Sequence, residues 1–105
     1  MQKPETKFRN RFRKRLDAIP NSWFESIQQK SINGTPDILG CVNGYFVALE
    51  LKATHKSPVT ELQNYKLKKI YDAGGFRAIV HPENMEDVLE NLIRLTNYER
   101  PQCLN

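Results

Sequence analysis

The sequence predicts one α/β domain built around a mixed central sheet of about four strands flanked by helices. Three observations lead there. Apolar residues recur at helical spacing in three separate segments. Two strand-like runs, Ile38 to Val42 and Tyr45 to Lys52, are joined by Asn43-Gly44, a strong short-range signal for a two-residue type I′ hairpin turn. A further apolar run, Phe76 to Val80, stands between Gly74-Gly75 and His81-Pro82. The chain has 105 residues, enough for one compact core and too few for two, so residues 1–105 are expected to form one domain with its core over about 5–95.

The first helix is expected from Pro4, a residue suited to a first helical turn, to the break at Pro20. Phe8, Phe12, Leu16 and Ile19 fall within one arc of that helix, and Glu5 shares the arc, so its carboxylate is expected on the core side. Lys7, Arg11, Lys14 and Arg15 lie off the arc, with Arg9 and Arg13 at its flank. Trp23 to Ile27 reads as a first strand and Lys30 to Thr35 as a polar loop. After the hairpin, Ser57-Pro58 and Thr60 offer caps to a second helix. It is expected to bury Leu62, Leu67 and Ile70 before Gly74-Gly75 ends it. Met85, Val88, Leu89, Leu92 and Leu95 give the last helix its apolar stripe, and the tail from Asn97 is expected to be loose.

Composition narrows the function classes. A hydrophobic fraction of 39% and a charged fraction of 27% suit a soluble globular protein, and no apolar run approaches the roughly 20 residues that span a bilayer. No membrane association is expected. The first residues have no apolar stretch ahead of a cleavage site, which suggests a cytoplasmic setting. Cys41 and Cys103 have no metal-ligand spacing and are expected to be free thiols. The net charge of +4 is concentrated between Lys3 and Arg15, where Glu5 is the only acid. Lys7, Arg9, Arg11, Arg13, Lys14 and Arg15 are therefore the candidate contacts to a polyanion.

The hairpin register sharpens this into a site. A two-residue turn at Asn43-Gly44 pairs Val42 with Tyr45 and, counting outward, sets Asp37 opposite Glu50. Directly opposed residues share a face with Cβ atoms about 5 Å apart. Two carboxylates at that distance repel by roughly 3 kcal/mol at an effective dielectric of 20, and a bound cation would relieve the repulsion. Strand alternation puts Lys52 on the same face. Mg²⁺ accepts one or two carboxylates together with waters and phosphate oxygens, so Asp37, Glu50 and a DNA phosphate suit it, with Lys52 to orient a nucleophile or stabilise developing charge. Glu5 on the first helix and Gln63 on the second are expected to face the same region. The competing readings are helix-dipole compensation for Glu5 and a capping box with Thr60 for Gln63. A self-satisfied carboxylate cluster paired with Lys52 is the alternative for Asp37 and Glu50. His55 and His81 stand at no ligand spacing and are excluded as metal ligands.

Taken together, Gly34-Thr35-Pro36-Asp37, Glu50-Leu51-Lys52 and Gln63 in a helix resemble the PD-(D/E)XK nuclease superfamily, and within it the virus-type replication-repair nuclease (VRR-NUC) group. The resemblance covers about Glu5 to Leu92. It implies a restriction-endonuclease-like fold and metal coordination by Asp37, Glu50 and the Leu51 carbonyl, with Mn²⁺ as a substitute for Mg²⁺. It also implies a catalytic Lys52, with supporting roles for Gln63 and Glu5, the latter as a further ligand. Small members of this group are often viral homodimers that cut branched DNA such as four-way (Holliday) junctions, which makes a metal-dependent endodeoxyribonuclease the expected activity. The competing expectation is a nucleic-acid-binding module of the same fold without catalysis.

Overall fold

The computed structural model describes residues 3–28 and 34–100, so most of the loop expected over Lys30 to Thr35 lies outside the described residues, as does Cys103. The elements follow the expected order: α1 (Pro4–Asp17), β1 (Ser22–Ser26), β2 (Ile38–Val42), β3 (Tyr45–Leu51), α2 (Glu61–Asp72), β4 (Phe76–Val80) and α3 (Met85–Arg94), with a short 3₁₀ turn over Leu95–Asn97. The four strands form one sheet in the spatial order β1-β2-β3-β4. β1, β2 and β3 are antiparallel neighbours, and β4 joins β3 in parallel after the α2 crossover.

The sheet has two unlike faces. Phe24, Ile38, Val42, Val47, Leu49, Leu51 and Val80 point to the face that packs against α1 and α3, where Phe8, Phe12, Leu16, Met85, Val88, Leu89 and Leu92 complete the core. On the opposite face α2 lies against β4, and Leu67 is its one buried side chain. Leu62 was expected to be buried there and is instead 41% exposed. It lies beside Gly34, where a Cβ would meet the Leu62 side chain and backbone, so this leucine covers the loop ahead of β2 and not the sheet. The open part of that face leaves Trp23 and Phe46 exposed beside Leu39 and Cys41, in a groove of about 450 Å³. Cys41 is a free thiol, as expected.

The hairpin forms in the expected register, Val42 opposite Tyr45 through Ile38 opposite Leu49. Asn43 and Gly44 both have positive φ, at 51° and 87°, which a type I′ turn demands. Asn43 has a second role. Its amide nitrogen donates to the carbonyls of Leu95 and Tyr98 at 3.0 and 2.7 Å, while the Tyr45 hydroxyl donates to the Glu99 carbonyl at 2.7 Å. The tail expected to be loose is therefore latched to the turn as far as Arg100, whose guanidinium donates to Asn43 Oδ1. An asparagine tolerates the left-handed region, so the sequence displays its turn role and conceals the latch.

At the end of α2 the Gly75 amide donates to the Ile70 carbonyl and the Gly74 amide to the Tyr71 carbonyl, with Gly74 at φ 93°. This is a left-handed helix stop, and it turns the chain into β4. The edge of the sheet at β1 is closed by Arg13, whose guanidinium donates to the Phe24 carbonyl at 2.7 Å and to Ser26 Oγ at 2.8 Å.

Candidate active site at the end of the hairpin

The β2–β3 ladder ends at the Ile38–Leu49 pair, and Asp37 stands one residue beyond it. There its carboxylate takes the place of a backbone acceptor, with Oδ2 receiving the Leu51 amide at 2.7 Å. Its own carbonyl accepts from the Ile27 amide at 2.7 Å, which ties the start of β2 to the end of β1. Both ends of Asp37 are thus fixed by backbone, and its side chain is delivered to the third strand.

Glu50 is 3% exposed, the one buried carboxylate among the described residues. Burial, and then its hydrogen bond and repulsion with Asp37, push its carboxyl up to about 8, while Lys52 and Arg9 pull the other way. The two acids converge as the register required, and one of them holds its proton near neutral pH. A buried carboxyl hydrogen-bonded to a partly exposed one is a set of hard oxygen donors short of positive charge. The two carboxylates with the Leu51 carbonyl fit a divalent cation of the Mg²⁺ type. Among the described residues no group of three His, Cys, Asp or Glu side chains assembles.

Lys52 leaves β3 on the Glu50 side. Its amide continues the parallel ladder to the Val80 carbonyl at 2.8 Å, and its ammonium donates to Gln63 Oε1 at 3.2 Å. The same Gln63 oxygen accepts from the Thr60 amide at 3.0 Å, and Thr60 Oγ1 accepts from the Gln63 amide at 3.1 Å. The two readings of Gln63 are therefore joined in one residue. The capping box that starts α2 fixes the side chain whose oxygen then holds the lysine.

Glu5 lies elsewhere than its helical arc suggested. Its side chain is about half exposed and binds Arg9 one turn along α1, with Oε1 at 3.2 Å from Nη2. In the first turn of α1 the arc runs past the covered part of the sheet, so the acid meets solvent and a neighbouring cation in place of the core. Arg9, placed by the sequence among the surface cations, turns inward. Its Nη2 donates to the Leu51 carbonyl at 3.3 Å, and Nη1 lies 3.8 Å from Asp37 Oδ2. A cleft of about 290 Å³ opens beside it, lined by Asn10, Arg13, Ile27, Asp37 and Leu51. The sequence held no signal for Arg9 beyond its flank position, because the contact crosses from α1 to β3.

The other α1 cations divide. Arg13 also pairs with Asp17, and Arg15 makes a two-pronged pair with Glu86 of α3 at 2.8 and 3.0 Å. Lys7, Arg11 and Lys14 stay exposed and line one concave, mostly basic surface with Asn10, Arg13 and Asp17. His55 and His81 lean on Glu83, at 3.4 and 2.8 Å; burial pushes its carboxyl up, but a backbone hydrogen bond at Glu83 and then the two imidazoles hold it below the ordinary range. The His81 Nδ1 geometry falls short of a hydrogen bond, so that contact is an ion pair only while the imidazole is protonated.

A four-stranded mixed sheet between helices, antiparallel through the hairpin with its last strand added in parallel, is the restriction-endonuclease-like architecture. More particularly, the chain has the fold of a VRR-NUC domain. A solved structure described as "VRR_NUC domain" is similar to it with a TM-score of 0.72 and 15% sequence identity, over 85% of this chain and 97% of that one. No family model and no curated protein matches the sequence. No described helix is long and apolar enough to cross a membrane.

Proposed function

We propose that this protein is a metal-dependent DNA endonuclease that hydrolyses phosphodiester bonds. The observation that carries the reading is the buried Glu50 carboxyl against the partly exposed Asp37 at the end of the hairpin, with the Lys52 ammonium held nearby by Gln63. A carboxyl kept protonated near neutral pH by burial, and then by a neighbouring acid, is costly to a fold, and a site that receives a cation gives it a use.

Asp37, Glu50 and the Leu51 carbonyl would hold the divalent cation, Mg²⁺ or Mn²⁺. The cation would supply positive charge against the phosphate and acidify the attacking water. The chain's own groups do the rest. Asp37, locked between the Ile27 and Leu51 amides, orients the donor set. Lys52, a point charge on a stem fixed at both ends, stabilises charge as it develops on the phosphate oxygens. Lys7, Arg11 and Lys14 present the surface that takes the flanking backbone phosphates and sets register without reading sequence.

Branched DNA, such as a four-way junction, is the proposed substrate, cut by a homodimer whose two-fold axis sets two sites on opposed strands. The support for this finer reading is the resemblance of Gly34-Thr35-Pro36-Asp37 and Glu50-Leu51-Lys52 to the VRR-NUC pattern. The test is incubation of the purified protein with junction and linear duplex DNA, with Mg²⁺ or with EDTA. Junction cleavage only with Mg²⁺ is expected. Binding without cleavage in either condition would establish the inactive binding module instead.

A further inference from the structure

Three oxygens surround the Arg9 guanidinium: Glu5 Oε1 at 3.2 Å, the Leu51 carbonyl at 3.3 Å and Asp37 Oδ2 at 3.8 Å. Two of these are donors that the proposed function assigns to the metal, so this inference rests on that reading. We propose that Arg9 is the resident counter-ion of the site, exchanged for the divalent cation when one binds, with Glu5 as the tether that receives it.

The exchange follows from the chemistry of the groups. A guanidinium does not lose its proton at any working pH, so it cannot make room for a second cation by becoming neutral. Each donor oxygen it touches is shared with the incoming ion, and two cations of like sign on one carbonyl repel at short range. Arg9 must therefore leave Leu51 and Asp37 as the cation arrives. It has a place to go. Glu5 lies one helical turn away, already bound to it and about half exposed, and the cleft beside Asp37 gives the side chain room to swing. Glu5 thus acts through Arg9, as a positioning residue for the departing cation.

Arg9 also answers a need of the metal-free protein. Without it, the Leu51 carbonyl would lose a donor and Asp37 would face Glu50 with Lys52 alone to offset the charge.

The test is Mn²⁺ binding, followed by calorimetry and by the electron paramagnetic resonance of free Mn²⁺, in the full chain and in Arg9→Gln, Arg9→Lys and Glu50→Gln. Removing the competing charge is expected to tighten Mn²⁺ binding by about tenfold in Arg9→Gln, while Arg9→Lys stays close to the parent and Glu50→Gln loses most binding. Arg9→Gln should also unfold at a lower temperature in EDTA and gain more from added Mn²⁺ than the parent does. Equal or weaker Mn²⁺ binding by Arg9→Gln, with the parent binding and cutting DNA, would overturn the exchange and leave the nuclease reading standing. No Mn²⁺ binding by either chain would overturn both.

Discussion

Glu50→Gln is expected to stabilise the metal-free protein, and to do so increasingly as pH rises. The folded Glu50 carboxyl titrates at about 8 against an ordinary 4.5, so the folded state binds a proton that the unfolded chain has released. A raised carboxyl contributes stability that is fully present below about 4.5 and is lost as pH climbs to about 8, after which the loss is constant. At about 1.4 kcal/mol per pH unit the full loss is at most about 5 kcal/mol. Glutamine keeps the shape and hydrogen-bonding capacity without the charge, so its stability should be level through this window. Thermal unfolding in EDTA between pH 5 and pH 9 measures the difference, and each kcal/mol should move the midpoint by roughly 4–8 °C in a domain of this size. The two proteins should nearly coincide at pH 5 and diverge to a plateau above pH 8, and Mg²⁺ should raise the midpoint of the parent alone. Parallel curves would refute the claim that Glu50 is held in a buried, acid-facing site.

Lys52→Ala should lower the cleavage rate by about 10²- to 10³-fold, the scale for removing one charge-stabilising group, with junction binding in gel shifts little changed. Gly40→Ala should prevent folding or destabilise severely, because a Cβ there meets the Trp23 carbonyl and the Phe24 backbone in the paired strand; circular dichroism and urea denaturation would measure the loss. Asn43→Gly keeps the left-handed turn residue but removes both donors to the tail. It should cost about 1–3 kcal/mol and raise amide exchange over Leu95–Asn97 and Tyr98 while leaving cleavage intact.

The fold was legible in the sequence because local signals agreed with the global arrangement. Asn43-Gly44 set the hairpin register, and that register carried Asp37 to Glu50 without any knowledge of the sheet. Gly74-Gly75 ended α2, and alternation put Lys52 on the Glu50 side. What escaped was long-range and made by flexible side chains. Arg9 reaches the Leu51 carbonyl across 42 residues, and Asn43 reaches the tail across more than 50; neither distance leaves a periodic trace. Glu5 illustrates a limit of the helical wheel. Angle places a residue around the axis, but only packing decides whether anything lies opposite it at that height.

The location of the site follows from a mismatch in strand length. β2 stops at Ile38 while β3 runs on to Leu51, so the last residues of β3 have a partner in β4 on one side and none in β2 on the other. An unpaired backbone at a sheet interior must find other partners. Here the Leu51 amide takes the Asp37 carboxylate and the Leu51 carbonyl takes Arg9. The groups that finish the ladder are therefore the groups that gather charge. Continued in the same register, β2 would bring Pro36 opposite Leu51, and a proline has no N–H to give the Leu51 carbonyl, so side chains must finish the ladder. The early end of the β2–β3 ladder is what brings Asp37 and Arg9 to Leu51.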